Sequence, residues 1–116
     1  MKGTCHCGAV HWTIQRRPER LVKCNCSICR KLGAVWAHVP VAEVSLSGNT
    51  IRYIRSDCDG DISFHSCKVC GATTHWSPTK KDGEVMAVNT ALVDPDALEG
   101  IPLRHFDGAK TWAFLD

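Results

Sequence analysis

Apolar residues recur mostly at every second position along this chain, the period of a strand with one buried face rather than the 3.6-residue period of a helix. Val10, Trp12 and Ile14 alternate with His11 and Thr13 until Arg17-Pro18-Glu19 breaks the run, which predicts a half-buried strand. Ala34 to Val41 is apolar enough for a strand covered on both faces. Val44-Ser45-Leu46 leads into Ser47-Gly48-Asn49 as a short strand and turn, and Ile51 to Ile54 gives another strand. Asp57 to Asp61, with Gly60 inside it, signals a turn into Ile62-Ser63-Phe64. Thr73 to Trp76 and Glu84 to Val88 flank a loop containing Asp82-Gly83, a hairpin with a connection longer than two residues. Helix is scarce. Ser27 to Leu32 suits a turn or two, and Asp94 to Gly100 carries an N-cap, an N1 proline and a closing glycine. Both are too short to stand without tertiary packing. The expected fold class is mainly β.

Length adds a constraint. The 116 residues, 44% of them hydrophobic, suit one domain spanning 1–116, with no internal repeat or low-complexity stretch. A core of that size gives limited stability, so a metal or disulfide staple would help. The net charge of +2 is spread over scattered basic groups, the densest being Arg16-Arg17, Arg30-Lys31 and Lys80-Lys81, and gives nucleic-acid binding no support. No segment approaches the roughly twenty apolar residues of a membrane helix. The opening Met1-Lys2-Gly3-Thr4-Cys5-His6-Cys7 lacks the apolar run of a secretory signal, which predicts an intracellular, cytoplasmic setting. Disulfides are disfavoured there, and closely spaced cysteines point to metal ligation instead.

Seven of the eight cysteines fall into three clusters: Cys5/Cys7, Cys24/Cys26/Cys29 and Cys67/Cys70. Structural zinc is usually held by four closed ligands, often as two cysteine pairs from separate turns. Cys67-Lys68-Val69-Cys70-Gly71 supplies one such knuckle, its glycine allowing a tight turn whose amides can hydrogen-bond a thiolate. Pairing it with Cys5-His6-Cys7-Gly8 closes a four-thiolate site and leaves Cys24, Cys26 and Cys29 as a three-ligand site with a position free. A closed site is structural, and an open one can be catalytic. Closure of the triad by Cys58 or one of the six histidines is the competing arrangement. Cys58 has no partner at ligand spacing and reads as a buried or idle thiol. His6 lies between two ligands, and an alternating backbone points it away from them. Three anionic sulfurs weaken the Lewis acidity of a bound zinc, so its natural role is to take up an external thiol as thiolate and hold it toward an electrophile such as an aldehyde. Arg30 and Lys31, directly after the triad, either offset that charge, greet an anionic substrate or form a solvated helix end.

Gly3-Thr4-Cys5-His6-Cys7-Gly8-Ala9-Val10, Cys24-Asn25-Cys26-Ser27-Ile28-Cys29-Arg30-Lys31 and Phe64 to Gly71 together resemble the motifs of the glutathione-dependent formaldehyde-activating enzyme family, which includes centromere protein V. The likeness continues through Trp36, Val39-Pro40, Gly48 and Tyr53 to about Leu92. It implies an Mss4-like zinc-binding fold of small twisted antiparallel sheets. It also implies a structural zinc on Cys5, Cys7, Cys67 and Cys70 and a second zinc on Cys24, Cys26 and Cys29. The reaction it implies joins formaldehyde and glutathione reversibly to S-hydroxymethylglutathione, a carbon-sulfur lyase reaction with a small-molecule thiol as partner. Two other functions compete with it: a zinc-stabilised module that binds protein or nucleic acid, and a redox thiol switch built on the triad.

Overall fold

The computed structural model describes residues 1–116. In chain order its strands are β1 (Lys2–Thr4), β2 (His11–Ile14), β3 (Leu21–Cys24), β4 (Trp36–Pro40), β5 (Val44–Ser47), β6 (Thr50–Ile54), β7 (Ile62–Cys67), β8 (Thr73–Pro78), β9 (Val85–Asn89) and β10 (Leu103–Phe106). The one α-helix, α1, spans Ser27–Leu32, and three short 3-10 turns complete the regular structure. No helix is long and apolar enough to cross a membrane.

The strands form two sheets, one of three strands ordered β1-β2-β5 and one of seven ordered β10-β3-β4-β9-β8-β7-β6. All pairings are antiparallel except β10 with β3, where Phe106 lies beside Cys24. The larger sheet is thus broader than the small antiparallel sheets expected from the sequence, and one edge of it is parallel. That edge is built from segments about eighty residues apart, a pairing that local patterning does not reveal.

Alternation in β4 explains how this sheet is covered on both sides. Ala37 and Val39 join Trp12, Ile14, Leu21, Met86, Val88 and Val93 in the core beneath the three-stranded sheet. Trp36 points the other way, into a second core with Cys26, Cys29, Ala34, Phe64 and Ala87, against which α1 packs. Trp12 and Ala37 are fully buried, and burial of a large apolar side chain stabilises a fold by about 1.5–3 kcal/mol. A third, smaller cluster of Cys5, Val10 and Cys67, with Cys70 and Ala72 against it, sits where the two sheets meet. The hairpin over Asp82-Gly83 is present, with His75 opposite Val88 and Trp76 opposite Ala87. The Asp94–Gly100 segment forms a 3-10 turn over Pro95–Leu98, its first amides met by the Asp94 side chain through Asp96 N at 3.0 Å.

Candidate metal centre and active site

Two groups of sulfurs converge. Cys5 and Cys7 follow β1, Cys67 ends β7 and Cys70 lies in the turn before β8, and their four Sγ atoms all lie within 4.8 Å of one another. Both knuckles turn on glycines with positive φ, Gly8 at 83° and Gly71 at 77°, where any side chain would be strained. The turns aim amides at sulfur: Val10 N donates to Cys5 Sγ at 3.2 Å and Val69 N to Cys67 Sγ at 3.4 Å. Cys7 Sγ stands 3.7 Å from Cys5 Sγ and 3.6 Å from Cys67 Sγ. Four sulfurs each about 2.3 Å from a common tetrahedral centre lie roughly 3.8 Å apart, so this donor set fits a zinc ion. A disulfide needs about 2.05 Å, and all eight cysteines are free thiols. The Ala72 and Cys7 amides pull the Cys70 thiol down to about 6, whereas, against the pull of the Ala9 amide, burial and the neighbouring Cys67, Cys5 and Cys70 sulfurs push the Cys7 thiol up to about 11.

The second group is Cys24, Cys26 and Cys29, also within 4.8 Å of one another, with no fourth His, Cys, Asp or Glu inside that distance. Cys24 ends β3, Cys26 caps α1 and Cys29 lies in its first turn, so a strand end and a helix start fold the three sulfurs onto one spot. Cys26 N donates to Cys24 Sγ and Cys29 N to Cys26 Sγ, each at 3.4 Å. Trp36 Nε1 donates to Cys29 Sγ at 3.2 Å from the floor of the site. The Cys29 thiol holds Cys24 down at about 5, with the Cys26 and Gly108 amides adding to the effect, while Cys24 and burial push Cys29 upward. Both cysteine clusters can hold a metal.

Above the triad opens a cavity of about 730 Å³. Its walls come from β3, β4, β7, β8 and β10 and from the loops at 55–61 and 107–114. Arg20 and Arg55 both face it. Arg55 is clamped by Asp57 through two hydrogen bonds of 2.8 and 2.9 Å, and reaches Ser27 Oγ at 3.4 Å. The segment after β10 is latched to the triad loop. Asn25 Nδ2 donates to the Asp107 carboxylate at 3.0 Å, and that carboxylate also accepts from Thr111 N and Oγ1 at 3.1 and 2.9 Å. Asn25 Oδ1 accepts from Ala109 N at 3.1 Å.

Against the sequence expectations the placement is mixed. The seven cysteines group as four and three, and His6 is exposed outside the ligand set. Cys58 does not close the triad; of the two readings, buried or idle, it is not the buried one, being exposed on the cavity wall outside both clusters. Arg30 and Lys31 are exposed on α1 and take no part in lining the cavity. Arg20 and Arg55 face it in their place, from positions that carry no local motif. The Asn25–Asp107 latch and the contacts of Gly108 also lacked any signal, because they join residues more than eighty positions apart.

Comparison with known proteins adds two findings. A family model described as glutathione-dependent formaldehyde-activating enzyme matches residues 1–106. The crystal structure of a Rhodobacter sphaeroides protein superimposes with a TM-score of 0.69 at 30% sequence identity, covering 89% of this chain and 99% of that one. The β-rich architecture with its cysteine clusters is of the Mss4-like zinc-binding type.

Proposed function

This chain belongs to the glutathione-dependent formaldehyde-activating enzyme family, and on that footing we propose that it is a zinc-dependent carbon-sulfur lyase acting on a thiol–aldehyde adduct such as S-hydroxymethylglutathione. The observation that carries the reading is the contrast between the two sulfur clusters: four sulfurs close on each other, whereas three face a cavity. Cys5, Cys7, Cys67 and Cys70 would hold a structural zinc, and Cys24, Cys26 and Cys29 a second one. When bound at the triad, zinc supplies a Lewis-acid position that lowers the pKa of an external thiol.

The chain's own groups do the rest. Trp36 and the Cys26 and Cys29 amides hydrogen-bond the triad sulfurs, which disperses their charge and fixes their directions. Arg20 and Arg55 are placed to bind the carboxylates of an anionic thiol such as glutathione. Apolar walls exclude water, and so strengthen each of these charge interactions. In the synthetic direction the thiol sulfur bonds to the carbonyl carbon, the C=O π pair moves to oxygen, and oxygen takes the proton that sulfur gave up. The lyase direction reverses these steps with no change of oxidation state. A module that only binds other macromolecules has no need of a cavity over an incomplete ligand set.

Zinc-loaded protein, glutathione and formaldehyde should show exchange between free and adduct forms, by saturation-transfer NMR, above the spontaneous rate. Cys26→Ser should return the rate to background. Equal rates for wild type and variant would defeat the reading.

A further inference from the structure

Six of the chain's eight aromatic residues line the one cavity over the triad: Trp36, Phe64, Trp76, Phe106, Trp112 and Phe114. Formaldehyde has no substituent to fill such a wall, and a volume of about 730 Å³ lies well inside the range of pockets that enclose drug-sized ligands. The outermost of the six is also the most costly to maintain. Trp112 is 73% exposed and sits at φ 56°, the sole non-glycine residue with positive φ. A bulky side chain in that region carries backbone strain. The conformation is held by Trp112 N donating to Asp107 O at 2.8 Å, and by the latch that fixes Asp107 to Asn25 beside the triad. Phe106 meets Trp112 edge-to-face at 5.1 Å and 80°, and meets Phe114 at 5.2 Å and 73°. Arg20 and Arg104 lie over the Phe114 ring at 4.9 and 4.4 Å, fixing it in place. An indole held outward at the rim of an aromatic box, at a cost in strain and in exposed apolar surface, is a recognition surface for a flat apolar group.

We propose that this cavity selects a carbonyl partner bearing an aromatic ring, so that the adduct handled is the hemithioacetal of a thiol with an aromatic aldehyde, with Trp112 as a specificity-determining residue. The inference rests on the lyase reading and narrows its substrate. The bond changes are those of any hemithioacetal: sulfur bonds to the carbonyl carbon, the π pair passes to oxygen, and the thiol proton ends on that oxygen, with no added oxidant or reductant.

Calorimetric titration of the zinc-loaded protein with S-benzylglutathione and S-methylglutathione tests this apart from activity. Burying a phenyl group is expected to favour the benzyl thioether at least about tenfold. Trp112→Ala should cut that preference to within about threefold, while Trp112→Phe should keep most of it. Because Trp112 is exposed, both variants should fold as the wild type does. Equal affinity for the two thioethers overturns the inference and leaves the lyase reading standing, as does a benzyl preference untouched by Trp112→Ala. Exchange measured with benzaldehyde and with formaldehyde separates the two ideas. A benzyl preference without acceleration of either aldehyde overturns the lyase reading, and with it the hemithioacetal as substrate, leaving only a cavity that prefers an aromatic ring.

Discussion

Replacing Gly108 with alanine separates the triad from the fold that carries it. A Cβ at Gly108 would stand 2.6 Å from Cys24 Sγ and 3.3 Å from Cys26 Cβ. Non-bonded atoms settle at about 3.5–4.0 Å, so the overlap with sulfur is roughly 1 Å. Gly108 is not among the glycines with positive φ, and alanine meets no backbone strain there. The obstructed atom is the end of a side chain, so the structure can relieve the clash cheaply by rotating Cys24 about χ1. That rotation carries the sulfur away from Cys26 and Cys29. The fold should therefore lose less than about 1 kcal/mol, whereas the triad carries an overpacking cost of about 1–3 kcal/mol, or roughly 5- to 150-fold in metal affinity. Cobalt titration against a chromophoric chelator reads both sulfur clusters in one experiment, and the four-cysteine cluster serves as internal reference. Triad affinity within twofold of wild type, with the other cluster unchanged, would refute the packing argument.

Three further outcomes follow from the same geometry. Cys67→Ser removes a sulfur from the cluster that joins the two sheets and should leave the protein unfolded or insoluble, whereas Cys29→Ser should stay folded; equal damage in circular dichroism would show that the clusters do not divide into structural and functional. Trp36→Phe deletes the hydrogen bond to Cys29 Sγ and should weaken metal binding at the triad about tenfold in the cobalt titration, with an unchanged value counting against the role of the indole. Burial, with His65 stacked on it at 4.2 Å, holds His75 down at about 4. Its unfolded-state value is near 6.5, so the unfolded chain binds the extra proton between those two values, and stability present above pH 6.5 is lost as pH falls toward 4. The loss should reach about 2 kcal/mol by pH 5, read as the change in urea midpoint between pH 7.5 and 5. His75→Gln should remove that share, and an identical pH dependence in the variant would dismiss it.

The strands that patterning located are those with enough apolar positions to show a period. β2, β4 and the β8–β9 hairpin each bury alternate or continuous residues in one of the two main cores, and burial is what alternation encodes. α1 was legible only as a turn or two over Ser27 to Leu32; its caps, Cys26 accepting the Cys29 amide and Gly33 in the left-handed region, were shown by the structure. β1, β3 and β10 left no comparable trace. They are three or four residues long, and β10 is largely exposed, so too few positions are constrained for a period to emerge. Their pairing depends on the sheet already in place, not on their own residue choice.

A similar limit separates the two halves of the site. Metal-ligand spacing is local chemistry: two or three thiolates within one turn must converge, and the intervals in the sequence state this directly. The cavity is not local. Cys29 is buried in the triad while Arg30 and Lys31, its sequence neighbours, are exposed, because successive residues on a helix point about 100° apart. Adjacency to the ligands was thus a poor guide to charge at the site. Arg20, Arg55 and the 107–114 segment arrive there by tertiary routes, through the start of β3, the loop after β6 and the turn beyond β10. The last of these lies outside the residues matched by the family model, which end at 106. Yet it supplies Trp112, Phe114 and the glycine packed on Cys24. The aromatic rim of the cavity is thus assembled by tertiary contacts around Phe106, which no local spacing of residues announces.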